Sequence, residues 1–125
     1  MPQLLPQLLP GRLKRRSDFL RLAASGRKIV RAGFVLQALK DASVPEPAMT
    51  SAVPVRLGFT ATKKLGNAVI RNRAKRRLRE AARLVLAERN AQGLELVLIG
   101  RRETGSMDFA KLRHNLAQAL DEVLA

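Results

Sequence analysis

Residues 63–83, KKLGNAVIRNRAKRRLREAAR, combine a concentrated positive charge with the periodicity of an α-helix. The segment holds nine Lys and Arg residues and a single acid, Glu80. Placing one residue every 100° predicts an apolar stripe made of Ile70, Ala74, Leu78, Ala81 and Val85. The opposite side carries Arg73, Lys75, Arg76, Arg79 and Arg83. We therefore expect a helix that packs on one side and presents a row of cations to solvent on the other.

The positive charge of the chain is concentrated in two segments. Of the formal net charge of +14, residues 63–83 contribute +8 and residues 11–31 contribute +7, so the rest of the chain is nearly neutral. Like charges at this density repel one another unless a polyanion offsets them, which indicates a nucleic-acid partner. A solvated helix face is the alternative, but such faces usually alternate acids and bases four residues apart, and this one does not. No stretch is long and apolar enough to span a membrane, so we expect no membrane partner.

The inventory of reactive residues argues against catalysis by the polypeptide. The absence of cysteine excludes disulfides, thiolate zinc sites and a cysteine nucleophile. The sole histidine, His114, has no acidic partner at a suitable spacing on the predicted last helix. Asp121 and Glu122 are adjacent and diverge on a helix, which makes them a poor metal pair. We expect no catalytic residue and no metal ligand in the chain.

The hydrophobic patterns predict the element order α-β-β-β-α-β-α. The predicted elements are a helix over 17–24, two strands or one bent strand within 28–40, a strand over 55–62, a helix from 67 to about 90, a strand over 94–100 and a final helix beginning at 106 or 108. Ser17 and Asn67 are suitable N-caps. Residues 41–54 contain three prolines and predict an exposed loop between antiparallel strands. Three prolines in residues 1–11 predict a disordered leader, which leaves residues 12–125 as one domain.

The predicted third strand, the turn after it and the start of the long helix carry a recognisable pattern. Residues 56–69 read RLGFTATKKLGNAV and residues 70–79 read IRNRAKRRLR. In this contiguous order they closely resemble the protein subunit of bacterial ribonuclease P. The segments RLK at residues 12–14 and DF at residues 18–19 also fit that family's opening. The resemblance therefore covers about residues 12–120.

The resemblance implies both a fold and a function. The fold is an α+β two-layer sandwich in the order αβββαβα, with helices on a mainly antiparallel four-stranded sheet and an unusual left-handed β-α-β crossover. The implied function is that of the protein component of ribonuclease P, the endoribonuclease that removes the 5′ leader of precursor tRNA. In that family the RNA subunit performs the hydrolysis with Mg²⁺, while the protein binds the catalytic RNA and the leader. We therefore expect the catalytic RNA subunit and precursor tRNA as partners, no required protein partner, and a cytoplasmic location.

The same resemblance implies two sets of RNA-binding residues. The residues expected to face the catalytic RNA are Arg71, Asn72, Arg73, Lys75, Arg76 and Arg79. Lys63 and Lys64 lie just before the helix, where charge and free backbone amides favour a phosphate. The leader is expected in a cleft between the first helix and the sheet, and its predicted lining is Arg12, Phe19, Val35, Gln37, Arg56 and Thr60.

The cleft departs from the family pattern in its aromatic residues. Relatives often place a second aromatic one turn after Phe19 and a tyrosine on the second long strand, where this chain has Ala23 and Gln37. With four Phe and no Trp or Tyr, few side chains are available for base stacking. We therefore expect leader contact to depend on charge, Phe19 and Val35.

Two other readings of the basic helix stay open at this point. The chain could be a structural RNA-binding protein of ribosomal type, since such a protein would also carry a cationic face without catalytic residues. A DNA-binding basic helix is the other reading, but no heptad zipper continues after Arg83, as a paired basic helix would require.

Overall fold

A computed structural model describes residues 11–12, 16–40, 55–89 and 94–124 of the chain. Within these residues the strands are β1 (Gly11–Arg12), β2 (Arg27–Arg31), β3 (Phe34–Lys40), β4 (Arg56–Thr60) and β5 (Leu94–Gly100). The helices are α1 (Arg16–Ser25), α2 (Ala68–Arg89) and α3 (Phe109–Leu124), and a 3₁₀ turn, Lys63–Leu65, precedes α2. The predicted order is confirmed. The predicted leader and the predicted 41–54 loop lie outside the described residues, apart from Gly11 in β1.

The five strands form one mixed sheet in the order β1-β4-β5-β3-β2. The β2–β3 and β3–β5 pairs are antiparallel, and the β4–β5 pair is parallel. The prediction of a mainly antiparallel sheet is thus confirmed for the four longer strands. A fifth strand, β1, was not predicted: Gly11 pairs with Arg56 and Arg12 pairs with Leu57, in parallel. Its two residues are too short for a periodic signal.

The connections differ from the simplest reading of the sequence. β3 and β4 run in opposite directions, but β5 lies between them, so they are not a hydrogen-bonded pair. β4, α2 and β5 form the expected β-α-β unit with parallel strands. The left hand of this crossover stays a prediction.

The helix starts follow the capping residues in α2 and α3. The side-chain oxygen Oδ1 of Asn67 accepts a hydrogen bond from the Ile70 N–H at 3.0 Å, as predicted. Asp108 plays the same part for α3, since its Oδ2 accepts from the Lys111 N–H at 3.3 Å. α1 begins at Arg16, which places the predicted cap Ser17 inside its first turn. None of the described helices is both long enough and apolar enough to cross a lipid bilayer.

The main core lies between one face of the sheet and the helices α2 and α3. Its fully or nearly fully buried side chains include Phe34, Leu36, Leu57, Leu78, Val85, Leu96, Leu98, Leu112, Leu116 and Leu120. The apolar stripe predicted for α2 is confirmed from Ala74 to Val85. It was wrong for Ile70, which is 46% exposed. Ile70 lies in the first turn, where its side chain covers Gly66 rather than the sheet.

The first helix packs on the other face of the sheet. Leu22 of α1 is fully buried against Val97, with Phe19, Leu39 and Ile99 packed around them. The alternation of β3 explains this arrangement, because Phe34, Leu36 and Ala38 enter the main core while the residues between them face α1. The sheet therefore separates α1 from α2 and α3.

Candidate nucleic-acid interface

The outward side of α2 presents a set of polar and cationic side chains that we call the arginine face. It consists of Asn72, Arg73, Lys75, Arg76 and Arg79, of which all but the half-buried Lys75 are exposed. Within the described residues, no acid lies within ion-pairing distance of its four cations, although eleven such pairs occur elsewhere. These cations are therefore available to an external anion.

An ion pair ends the arginine face on its C-terminal side. Arg83 donates from Nη2 to Glu80 Oε2 at 2.6 Å and from Nε to Oε1 at 3.1 Å. The hydrogen bonds raise the pKa of Arg83 and lower the pKa of Glu80. Arg83 was predicted to belong to the cationic side, and it is exposed there, but its charge is neutralised by its neighbour.

Arg77 belongs to the same basic run, but its guanidinium group makes its hydrogen bonds within the protein. Its Nε donates to the carbonyl oxygen of Thr104 at 3.0 Å, and its Nη2 donates to that of Met107. Its Cζ lies 5.7 Å from the centre of the Phe109 ring. Arg77 thus links α2 to the segment that leads into α3, and it is turned away from the arginine face.

Arg71, a predicted RNA-binding residue, lies on a different side of α2 from the exposed arginines Arg73 and Arg76. It precedes the buried Leu78 by seven residues, so both residues are on the sheet side of the helix. Arg71 is half-buried, and its Nε is buried without a hydrogen-bond partner among the described residues. The sequence pattern RNR therefore does not place its two arginines side by side.

The turn before α2 holds the two predicted lysines. Lys63 and Lys64 are exposed in the 3₁₀ turn. Gly66 follows with a φ of 141°, and a Cβ there would meet Ile70 Cδ1 at 2.8 Å. A residue without a side chain is needed for this tight entry into the helix. The turn places both lysines just before the N-terminus of α2, where the positive end of the helix dipole favours a bound phosphate.

A pocket of about 190 Å³ adjoins the arginine face. Arg73, Arg101 and Arg102 line it, together with the apolar side chains of Leu65 and Ile70. The position of Arg101 and Arg102 beside α2 was not predicted from the sequence. The parallel β4–α2–β5 connection was the available signal, since it brings the C-terminal end of β5 close to the start of α2.

Most of the residues predicted to line the leader cleft lie on the face of the sheet that carries α1. Two rows of paired residues cross it: Val35, Ile99 and Thr60 form one row, and Gln37, Val97 and Gly58 form the next. Phe19 packs against Val97 from α1. The structure therefore brings together the predicted residues Phe19, Val35, Gln37 and Thr60, all of them half-buried. Arg12 lies in β1, next to β4.

Arg56, the remaining predicted cleft residue, belongs to a cluster of charges that we call the acid clamp. The clamp consists of Asp18, Arg21, Arg56 and Glu95. Arg56 Nη1 donates to Glu95 Oε2 at 2.8 Å, and Arg21 donates to both carboxylate oxygens of Glu95, at 2.5 and 3.0 Å. Hydrogen bonds to Glu95 and Asp18 raise the pKa of Arg21. Sequence reasoning missed this cluster because Glu95 stands in an otherwise apolar strand.

The described residues do not offer a metal site. They contain no group of three or more His, Asp or Glu side chains placed to hold an ion. His114 is exposed on α3, and Asp121 accepts a hydrogen bond from Arg89 Nε at 2.7 Å.

Comparison with known proteins decides the family. The ribonuclease P family profile matches residues 10–124. The chain belongs to the ribonuclease P protein family. The ribonuclease P protein component of Gluconacetobacter diazotrophicus is 50% identical over 110 residues, which cover 87% of each chain. That of Paramagnetospirillum magneticum is 45% identical over 112 residues, covering 90% of this chain and 81% of the relative.

Solved structures of ribonuclease P proteins share the fold. The Staphylococcus aureus protein superposes with a TM-score of 0.70 at 26% identity, over 90% of this chain and 94% of that one. The Thermotoga maritima protein gives a TM-score of 0.67 at 27% identity, over 89% and 96% of the two chains. The expected α+β fold is confirmed. As a member of this family, the chain is the protein component of a tRNA-processing ribonucleoprotein enzyme.

In this ribonuclease P protein the two predicted RNA-binding regions lie on opposite sides of the sheet. The arginine face is on the layer formed by α2 and α3, and the cleft is on the side of α1. The two predicted regions therefore do not overlap on the protein surface.

Proposed function

We propose that this chain binds the catalytic RNA subunit of ribonuclease P through the arginine face and the 5′ leader of precursor tRNA in the cleft. By holding both RNAs it lowers their mutual repulsion and promotes removal of the leader. The basic turn with Lys63 and Lys64 extends the contact with the catalytic RNA.

The arginine face is the observation that supports this proposal most strongly. It places three exposed guanidinium groups, those of Arg73, Arg76 and Arg79, along one side of a helix without an acidic partner in the described residues. Guanidinium groups bind phosphates through paired hydrogen bonds. The match to the ribonuclease P family over residues 10–124 favours this function over a structural protein of ribosomal type.

In the proposed assembly the RNA subunit carries out the hydrolysis and holds most of the Mg²⁺. The described side chains do not fit a protein-held Mg²⁺ site, since they form no cluster of three or more suitable ligands. The protein's part is to supply positive charge and to position the two RNAs.

Reconstitution tests the function directly. Catalytic RNA and precursor tRNA are mixed at low Mg²⁺ with and without the folded protein, and release of the leader is measured. We expect the protein to restore cleavage. A folded protein that binds the RNA without stimulating cleavage would instead support the ribosomal-type alternative.

The arginine face is tested with two alanine variants on α2 and a control variant that removes the same charge elsewhere. Arg73→Ala and Arg76→Ala should each reduce the slope of log affinity against log salt by about one unit, because each removes about one phosphate contact. Arg113→Ala is the control, since it removes the same charge from α3, where Arg113 is paired with Glu88. Unchanged slopes for both α2 variants would exclude this face from the interface.

The cleft is tested by comparing substrates with and without a leader. Phe19→Leu keeps an apolar side chain against Val97 but removes the ring, so affinity for precursor tRNA should fall about fivefold or more if a base stacks there. Affinity for leaderless tRNA should stay the same. Phe109→Leu on α3 is the control, because its half-buried ring lies near Arg77 on the other side of the sheet.

A further inference from the structure

Glu95 is a buried acid at the centre of the sheet. Its surface is only 3% exposed, and β5 is flanked by β3 and β4. Glutamate is almost never so buried unless it is paired. Both of its carboxylate oxygens are used: Oε1 accepts from Arg21, and Oε2 accepts from Arg21 and Arg56. The arrangement is specific, because a planar guanidinium meets a planar carboxylate through two parallel hydrogen bonds.

The acid clamp joins three elements that are distant in sequence. Arg21 and Asp18 come from α1, Arg56 begins β4, and Glu95 lies in β5. Asp18 closes the cluster, with Oδ1 3.2 Å from Arg21 Nη2 and Oδ2 3.5 Å from Arg56 Nη2. Two carboxylates thereby balance two guanidinium groups, so the clamp adds no net charge to this side of the sheet.

The clamp is a large part of what holds α1 in place. Within α1, which is described in full, Leu22 is the one buried residue. A helix of ten residues is not stable by itself in water and takes its orientation from tertiary contacts. Among the described residues, the apolar contacts of α1 are those of Phe19 and Leu22 with the sheet residues Val97, Leu39 and Ile99. Removing the ionic contacts would leave α1 attached through this small cluster.

The position of α1 sets the geometry of the cleft. Phe19 directly follows Asp18 of the clamp, and it faces the sheet on the side where Val35 and Gln37 lie. A change in the angle of α1 would therefore move the Phe19 ring relative to these residues. Arg21 and Arg56 keep 42% and 41% of their side-chain surface exposed, so the clamp also fixes the direction in which their outer N–H groups point.

We propose that Glu95 is a positioning residue for the single-stranded leader. By clamping Arg21 and Arg56 it holds α1 at a fixed angle on the sheet, so that the Phe19 ring stays beside Val35 and Gln37, where a single RNA strand would bind. This inference rests on the proposed assignment of the cleft to the leader. Glu95 itself touches no RNA in this arrangement, because its carboxylate is covered by the two arginines.

The first test measures the order of α1 in the free protein and does not depend on RNA. In Glu95→Gln, hydrogen exchange of the α1 amides should accelerate by about tenfold or more, while the central amides of β3 and β5 change little. Asp121→Asn is the matched control, because it also replaces a carboxylate bonded to an arginine, Arg89, but does so on α3. Unchanged α1 exchange in Glu95→Gln would overturn the inference whatever the RNA does.

The second test uses the reconstituted holoenzyme. The ratio of affinities for precursor tRNA and leaderless tRNA should fall about fivefold in Glu95→Gln, in line with loss of one stacking contact. Affinity for the catalytic RNA should stay within about twofold, since the arginine face lies on the other side of the sheet. Glu95→Asp keeps the charge and should recover part of the ratio. An equal loss for both substrates would show a merely structural role and would overturn the inference.

Two outcomes separate this inference from the proposed function. If the wild-type holoenzyme does not distinguish the two substrates, the assignment of the cleft to the leader fails, while the exchange test still decides whether the clamp orders α1. If Glu95→Gln does not fold, Arg21→Gln replaces it, because it leaves Glu95 bonded to Arg56. Arg21→Gln should show the same selective loss of the leader effect, and an unchanged ratio in this folded variant would overturn the inference.

Discussion

The guanidinium group of Arg79 lies over the ring of Phe59, with 5.4 Å between Cζ and the ring centre. Phe59 is half-buried at the edge of the main core, and Arg79 is exposed on the arginine face. An aromatic ring in the sheet layer thus orients one of the cations proposed to bind RNA. The ring attracts the guanidinium electrostatically and still leaves its outer N–H groups to an external phosphate.

This contact predicts the effect of Phe59→Leu. A cation–π contact at an exposed site contributes about 0.5–1 kcal/mol, so affinity for the catalytic RNA should fall by about two- to fivefold when Arg79 loses its support. Leucine retains an apolar side chain against the core, and the free energy of unfolding should fall by less than about 1.5 kcal/mol. Binding is measured at constant salt. The double variant with Arg79→Ala should be no weaker than Arg79→Ala alone, and additive losses would contradict the coupling.

Arg76 and Arg77 are neighbours in sequence with opposite predicted effects. Arg77→Ala removes hydrogen bonds to the carbonyl groups of Thr104 and Met107, so the free energy of unfolding should fall by about 2 kcal/mol. Arg76→Ala should change it by no more than about 0.5 kcal/mol, since the residue is exposed. Denaturant unfolding measures both values. Equal effects on stability would mean that Arg77 is not the link between α2 and the segment before α3.

Gly66 is expected to tolerate no side chain. Gly66→Ala combines a positive φ of 141° with a Cβ only 2.8 Å from Ile70 Cδ1, and it should destabilise the protein by about 1–3 kcal/mol. The start of α2, and with it Lys63 and Lys64, should shift, which would also weaken RNA binding. Gly105→Ala is the matched control, because the nearest atom to its new Cβ is Arg73 Cδ at 4.0 Å. The melting temperatures of the two variants are compared by thermal unfolding. Similar values would contradict the predicted strain at Gly66.

Acid should destabilise the protein partly through Glu103. The N–H of Gly33 donates to Glu103 Oε2 at 3.0 Å and lowers the pKa of that carboxyl group below its ordinary value of 4.5. The stabilisation is therefore present above pH 4.5 and is lost as the pH falls through the lower pKa of the folded state. Glu103→Gln can still accept this hydrogen bond but does not titrate, so its stability should decline less steeply between about pH 5 and 3. Parallel stability profiles for the two proteins would contradict this role.

Local patterns were sufficient for the elements and for most of the arginine face. The period of 3.6 residues placed Arg73, Arg76 and Arg79 opposite Leu78 and Val85, and the structure agrees. The caps Asn67 and Asp108 act within three residues of their partners, so the sequence contains all of the information needed to find them. Ile70 was the exception. Helical periodicity places it on the apolar side of α2 but does not show where along the helix the contact with the sheet ends.

Contacts between distant segments could not be predicted in this way. The sequence does not distinguish Arg77 from Arg76, because both are arginines in the same basic run. The hydrogen-bond partners of Arg77, Thr104 and Met107, lie 27 and 30 residues further along the chain. The contacts of Thr104 were likewise missed: its hydroxyl donates to the Gly33 carbonyl at 2.5 Å and accepts from the Arg101 N–H at 2.7 Å, across the end of the sheet. Such pairs depend on strand order, which a single sequence does not reveal.

The amino-acid sequence by itself determined which segments become helices and strands, where the positive charge is concentrated, and which family the motif resembles. These properties depend on neighbours within one or two turns of the chain. Tertiary structure decided which arginines keep a free charge. Arg73 and Arg76 remain open to solvent, whereas Arg56 is drawn to Glu95, 39 residues away, because burying that carboxylate requires a cation beside it.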